Sequence, residues 1–190
     1  MEKFKQEIKA CQICIDHLPL GPNPVFQFDE GAGIAIVGQA PGKKVHETGI
    51  PWDDPSGNRL RAWLNVDDET FYNPDKLAFI PMGFCYPGKG KSGDLPPRPE
   101  CAPQWHGQIF DRLEKIDLVV LIGQYAQQYY LKDRIKNTLT ETVKSYREYG
   151  PGIMPLPHPS PRNNIWLRKN PWFEAELLPV LRARVETLLY

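Results

Sequence analysis

In "PLPHPSPRNN", residues 155–164, a single histidine, His158, stands between Pro157 and Pro159. Proline fixes its own φ and restricts the residue before it, so this backbone is stiff and the imidazole has few directions open to it. A histidine held in that way suits a proton carrier or a hydrogen-bond donor at a reacting group. Trp52 in "GIPWDD" can stack on a flat ligand or fill core, and the following Asp53 and Asp54 can form a turn or polarise a water. Cys11 and Cys14 make a C-x2-C pair, and Cys85 and Cys101 are separated by fifteen residues. Four thiolates in a reducing compartment suit a tetrahedral zinc or an iron-sulfur cluster, and spacing alone does not separate the two. Either metal would tie the N-terminal segment to "YPGKGKSGDLPPRPE" in a structural role.

Other chemistries fail on spacing. The glycines of "GAGIAI" precede a strand rather than follow it, so the dinucleotide fingerprint is absent. "GKGKS" lacks the earlier glycine of a phosphate-binding P-loop, since Cys85 occupies that position. His46 and Glu47 are adjacent, which breaks the H-x-E of a zinc deaminase, and no G-x-S-x-G marks a serine hydrolase. "IVGQAPG" remains: a strand entering a turn bounded by glycine and proline, where backbone amides can face a bound anion.

The elements that must position these residues alternate between apolar runs and helical patterns, as in a parallel sheet covered by helices. Strands are expected at 33–38, 77–82, 117–123 and 152–157. Helices are expected through "GNRLRAWL", capped by Ser56, over about 102–115, through "QYAQQYYL", and from Pro171 to the C-terminus. In the last, Phe173, Leu177, Leu181, Val185 and Leu188 recur at helical spacing, and Pro179 is expected to kink or break it. Two long segments, "GQAPGKKVHETGIPWDDPSG" and "CYPGKGKSGDLPPRPEC", read as irregular loops. Together with the HPSP segment they follow strands closely, so three strand ends can converge on one ligand site. Formal net charge is zero, so a nucleic-acid surface would be a local patch rather than a global field. No apolar run approaches the roughly 18 residues of a membrane span, and the N-terminus is a charged helical pattern. A cytoplasmic, monomeric chain of one domain over 1–190, with no membrane partner, is the expectation.

Taken in order, "GQAPG", "TGIPW…SG…LRAWL", "LIGQYA" and "HPSPRN" resemble the uracil-DNA glycosylase superfamily over nearly the whole chain, and the cysteine pattern resembles its iron-sulfur branches. The resemblance implies a three-layer α/β/α fold around a four-stranded parallel sheet, and a DNA substrate with a damaged base flipped out of the helix. It implies a 4Fe-4S cluster on Cys11, Cys14, Cys85 and Cys101, with zinc as the alternative. His158 would donate a hydrogen bond to a base carbonyl as charge develops, and Trp52 would stack on the base. Gln39, with the backbone of Gly38, Ala40 and Gly42, would line the base and hold water. Arg162 would fill the gap left in the duplex. Arg168 and Lys169, with Lys43, Lys44, Lys89 and Lys91, would contact phosphates.

This chain also departs from the pattern. Ala40 stands where the best-studied branch has an aspartate, so Gln39 and Asp54 are the candidates to hold the attacking water. Gly42 stands where that branch has a tyrosine that excludes the thymine methyl group. "IPMGFC" has no uracil-reading asparagine, which leaves Asn163, or Asn164, as the substitute. The activity implied is a monofunctional glycosylase that excises uracil, or another deaminated or modified base, by hydrolysing the N-glycosidic bond. The alternative is a damaged-DNA-binding protein that keeps the fold and cluster without catalysis.

Overall fold

Four short, wholly apolar strands form the centre of the fold. In the computed structural model, which describes residues 1–190, the order is α1 (Glu2–Lys9), β1 (Ile34–Val37), α2 (Lys43–Thr48), α3 (Pro55–Leu64), α4 (Asp68–Phe71) and β2 (Leu77–Phe79). Then follow a two-stranded hairpin, β3 (Lys89–Gly90) and β4 (Gly93–Asp94), α5 (Cys101–Phe110), β5 (Leu118–Ile122), α6 (Gly123–Leu131) and α7 (Leu139–Lys144). β6 (Ile153–Leu156), α8 (Asn164–Lys169) and α9 (Leu178–Leu189) complete the chain. The sheet runs β2-β1-β5-β6 with every pair parallel, Ile34 opposite both Leu77 and Leu118, and Val119 opposite Ile153.

A parallel sheet covered on both faces needs apolar residues at every strand position, which "IAIV" and "LVVLI" supply. Ile34, Ile36, Leu118 and Val120 pack with Leu60 and Trp63 of α3 and with Leu181 and Val185 of α9. Ala35 and Ala78 face the other way, toward Ile8 of α1 and Ile109 of α5, and Val37 and Leu121 meet Ala126 of α6. These two faces make the three-layer α/β/α architecture. Each fully buried large aliphatic contributes about 1.5–3 kcal/mol relative to exposure.

The strands fall within the expected segments and the main helices within two residues of them, and two local readings are corrected, the cap of α3 and the two long loops. Ser56 is not the cap of α3: Asp54 is, accepting from Gly57 N at 2.8 Å, because Pro55 takes the first helical position and places Ser56 inside the turn. The final helical segment has its break beside Pro179, as expected of that proline. A π-helical turn over Phe173–Leu177 passes directly into α9 at Leu178, with Pro179 at the junction. The two long irregular loops contain α2 and the β3–β4 hairpin. No helix is long and apolar enough to cross a membrane.

Candidate active site

A cleft of about 690 Å³ opens over the carboxyl ends of the strands. It is walled by the turn after β1, the entry to α3, the hairpin and the segment after β6. Gly38, Gln39, Ala40, Gly42, Trp52, Asp54, His158, Arg162 and Asn163 all line it, so the structure brings together nine residues that the sequence distributes over more than a hundred positions. Arg168 and Lys169 do not line it; they are exposed at the end of α8.

His158 is held from several directions. Gln127 of α6, fully buried, donates to Leu156 O at 2.9 Å and Leu121 O at 3.2 Å, fixing the end of β6 two residues before the histidine. Asn163 Nδ2 donates to His158 O at 2.7 Å. Arg59 of α3 donates to Ser160 O at 3.0 Å and to Asn164 Oδ1 at 2.7 Å. The two asparagines of "PRNN" therefore hold the loop, and Asn163, which also lines the cleft, commits one Nδ2–H to the backbone. Arg59, which holds this loop, leaves no signal in the sequence, because nothing local links it to a segment a hundred residues away.

The imidazole's protonation follows from its partners. Ser160 N–H donates to His158 Nδ1 at 3.2 Å, so Nδ1 carries a lone pair. Burial pushes the ring's pKa down, more than the nearby Asp54 carboxylate pushes it up, so the ring is neutral at pH 7 with its proton on Nε2. Nε2 makes no hydrogen bond to the protein, which leaves one N–H donor for a ligand in the cleft.

Trp52 lies beside it, with ring centroids 6.0 Å apart and planes inclined by 36°. Its backbone is in the left-handed region at φ 58°, an uncommon conformation for a bulky residue and one that marks a constrained site. Two glycines make room for it. A Cβ at Gly38 would stand 2.9 Å from Trp52 Cζ2, and one at Gly57 would stand 1.8 Å from the Trp52 carbonyl oxygen. The indole is thus seated on the turn after β1. Asp54 uses Oδ1 to cap α3, which orients the carboxylate and leaves its second oxygen for the cleft. Gln39 has its carbonyl bonded to Gly83 N at 3.0 Å, while its side-chain amide has no protein partner. Ser56, buried in the first turn of α3, also lines the cleft and was missed as a site residue.

At the rim, Arg162 Nη1 donates to Ser92 O of the hairpin turn at 3.1 Å. Beside it, bare Gly93 leaves the guanidinium room: a Cβ there would come within 2.7 Å of Arg162 Nη1. The space next to Gly42 is occupied by Asp94, whose Oδ2 lies 3.6 Å from the position a Cβ would take at Gly42. Lys43 and Lys44 form exposed ion pairs with Glu47 and Asp53 at 3.6 and 3.3 Å; such pairs are weak and free to exchange for phosphates. Lys89 on β3 and Lys91 in the hairpin turn are exposed.

The four cysteines, remote in sequence, line one small pocket with Phe84, Leu18 and Trp105. Cys11 and Cys14 follow α1, Cys85 follows β2, and Cys101 opens α5. Phe84 N–H donates to Cys101 Sγ at 3.3 Å, and Cys14 Sγ lies 3.8 Å from Glu100 Oε2, itself held by Arg98. Burial pushes Cys85 up to about 11 and Cys101 up to about 12, so as free thiols both are inert, and a cation would be needed to hold them ionised. No three His, Cys, Asp or Glu side chains are grouped closely enough to hold a single metal ion.

A cleft at the carboxyl ends of a parallel sheet, lined by an indole and a neutral imidazole donor side by side, can hold a flat heterocycle and stabilise negative charge on it. The model of the uracil DNA glycosylase superfamily matches residues 25–182, and the chain belongs to that superfamily. That superfamily is one of DNA glycosylases.

Proposed function

We propose that the chain is a monofunctional glycosylase that excises uracil, or a related deaminated base, from DNA. The observation that carries this reading is His158, which lines the cleft beside Trp52 and whose Nε2–H makes no hydrogen bond to the protein. In hydrolysis the C1′–N bond breaks, the base leaves with the electron pair, and a water oxygen bonds to C1′ of an oxocarbenium-like sugar. The Nε2–H donates to a base carbonyl as it gains charge, and a neutral donor does so without giving up its proton. Trp52 stacks on the flipped base. Asp54 and the Gln39 amide orient the water, with Asp54 accepting its proton. Arg162 leaves Ser92 O to fill the gap in the duplex, and Arg168, Lys169 and the exposed lysines contact phosphates. No lysine lines the cleft, in keeping with hydrolysis rather than Schiff-base strand cleavage.

We further propose that Cys11, Cys14, Cys85 and Cys101 hold a 4Fe-4S cluster. Four thiols in one pocket supply its ligand set, and an N–H donor to Cys101 Sγ suits a cluster thiolate. The cluster's part is structural: it pins the N-terminal segment to the entry of α5.

Duplexes carrying uracil, hypoxanthine or no lesion, treated with protein and then alkali, test the activity. Cleavage at the uracil strand is expected. Binding to the lesion without any cleavable product would favour the binding-protein alternative.

A further inference from the structure

His106 of α5 is a fully enclosed histidine that the proposed chemistry does not use. Only 1% of its surface is accessible, and it bonds at both ring nitrogens: Nδ1 to Tyr130 Oη at 2.7 Å and Nε2 to Pro81 O at 3.0 Å. A carbonyl can only accept, so Nε2 carries the proton and Nδ1 accepts from the Tyr130 hydroxyl. Burial, which pushes its pKa down to about 4, keeps the ring neutral. Its plane lies against Phe84, 5.9 Å between centroids and inclined by 24°.

What it grips is a strap. Residues 81–85 leave β2 without regular structure, and each link in them reaches something functional. Pro81 lines the cleft. Met82 N donates to Gly38 O at 2.9 Å and Gly83 N to Gln39 O at 3.0 Å. Phe84 N donates to Cys101 Sγ, and Cys85 is itself one of the four thiols. The strap is therefore the backing on which the Gly38–Gln39 turn rests, and it joins that turn to the cysteine pocket. Pro81 has no N–H to anchor it, so its carbonyl is the available grip, and His106 is the side chain that takes it.

We propose that His106, with its tautomer fixed by Tyr130, is a positioning residue for the reaction: by holding the Pro81 carbonyl it sets the strap and, through it, the Gly38–Gln39 turn under Trp52. The proposal rests on the glycosylase reading of the cleft for its catalytic consequence, and on geometry alone for its structural one. Without the Tyr130 hydroxyl, the imidazole is free to turn a lone pair toward Pro81 O, which repels it. A misplacement on the order of 1 Å in a site of this kind costs up to about 100-fold in rate.

Tyr130→Phe, His106→Leu and His106→Gln, compared with wild type, test this with two readouts. The first is amide hydrogen exchange. Met82 and Gly83 are expected to exchange about tenfold faster in Tyr130→Phe and His106→Leu, while β5 amides keep wild-type protection. The second is base release from a uracil duplex at saturating DNA. Here kcat is expected to fall about 10- to 100-fold with KM within about twofold, and His106→Gln, which can both donate and accept, is expected to recover most of the loss. Unchanged exchange at Met82 and Gly83 in His106→Leu overturns the proposal. So does faster exchange with unchanged kcat, or a uniform loss of protection whose folded fraction turns over normally. If the wild-type protein releases no base, the glycosylase reading fails, and the exchange data still decide whether the strap depends on His106.

Discussion

Gly38→Ala places one methyl group where the structure has no room for it. The added carbon would stand 2.9 Å from Trp52 Cζ2 and 3.4 Å from Cη2. Carbon atoms pack at about 3.5–4.0 Å, so the indole must move by about 0.5–1 Å. It has no retreat through its backbone, because the Trp52 carbonyl is already packed on Gly57 and the residue is held at φ 58°. The ring must rotate within the cleft, altering the surface on which the base stacks and its 6.0 Å relation to His158. Overpacking of this kind costs about 1–3 kcal/mol of stability. The displaced ring is expected to lower kcat/KM for a uracil duplex on the order of 10². Single-turnover base release and thermal melting measure the two effects separately. Gly107→Ala is the control: a Cβ there meets nothing within 4 Å inside α5, so it is expected to add about 0.5–1 kcal/mol and leave turnover unchanged. Turnover within twofold of wild type in a folded Gly38→Ala protein would refute the seating of Trp52 as a stacking surface.

The other predictions concern the imidazoles, the loop and the thiols. His158→Ala is expected to cost about 10²–10³ in kcat, the usual loss for one donor to a developing anion, and unchanged single-turnover rates would exclude that role. Asn163→Ala frees His158 O and is expected to lower kcat about tenfold with little change in DNA affinity; a loss confined to KM would instead mark Asn163 as a base contact. For stability against pH, the folded pKa of His106, about 4, lies below its ordinary 6.5, so the unfolded chain binds more protons in that window. The contribution is fully present above pH 6.5 and is lost as pH falls toward 4, amounting to ~3 kcal/mol; His158 acts in the same direction. Urea unfolding at pH 7 and pH 4.5 should show a smaller pH-dependent loss in His106→Gln, and equal losses would show that His106 titrates normally. Protein purified without oxygen is expected to be brown, and Cys101→Ser to lose the colour and melt at lower temperature; a colourless protein with stoichiometric zinc would replace the cluster with that metal.

Sequence alone exposed the sheet because its strands are buried on both faces and so appear as unbroken apolar runs, "IAIV" and "LVVLI" among them. It exposed His158, Trp52 and the cysteines because their chemistry is in the residue type. It could not expose α2 and α8, six residues each, where the apolar stripe is too short to show a period. Ser56 reads as the cap of α3 from its residue type, but Asp54 holds that place because Pro55 takes the first helical position. The roles of Asn163, Asn164, Arg59 and His106 were hidden for a different reason. Asn163, Arg59 and His106 each bond to a backbone carbonyl, which leaves no mark in sequence, and Asn164 accepts from Arg59, which is remote from it in the chain. Asn163 Nδ2 bonds to His158 O, and the polar side chains of Gln39, Ser56, Ser92 and Asp94 line the cleft beside it.

The most direct test of the account follows base release from a uracil-containing duplex by the wild-type protein and by His158→Ala, with an unmodified duplex alongside. The account predicts alkali-labile sites at uracil only, formed by the wild type and slowed about 10²–10³ in the variant. Equal rates from the two proteins, or no abasic product from the wild type, would contradict it.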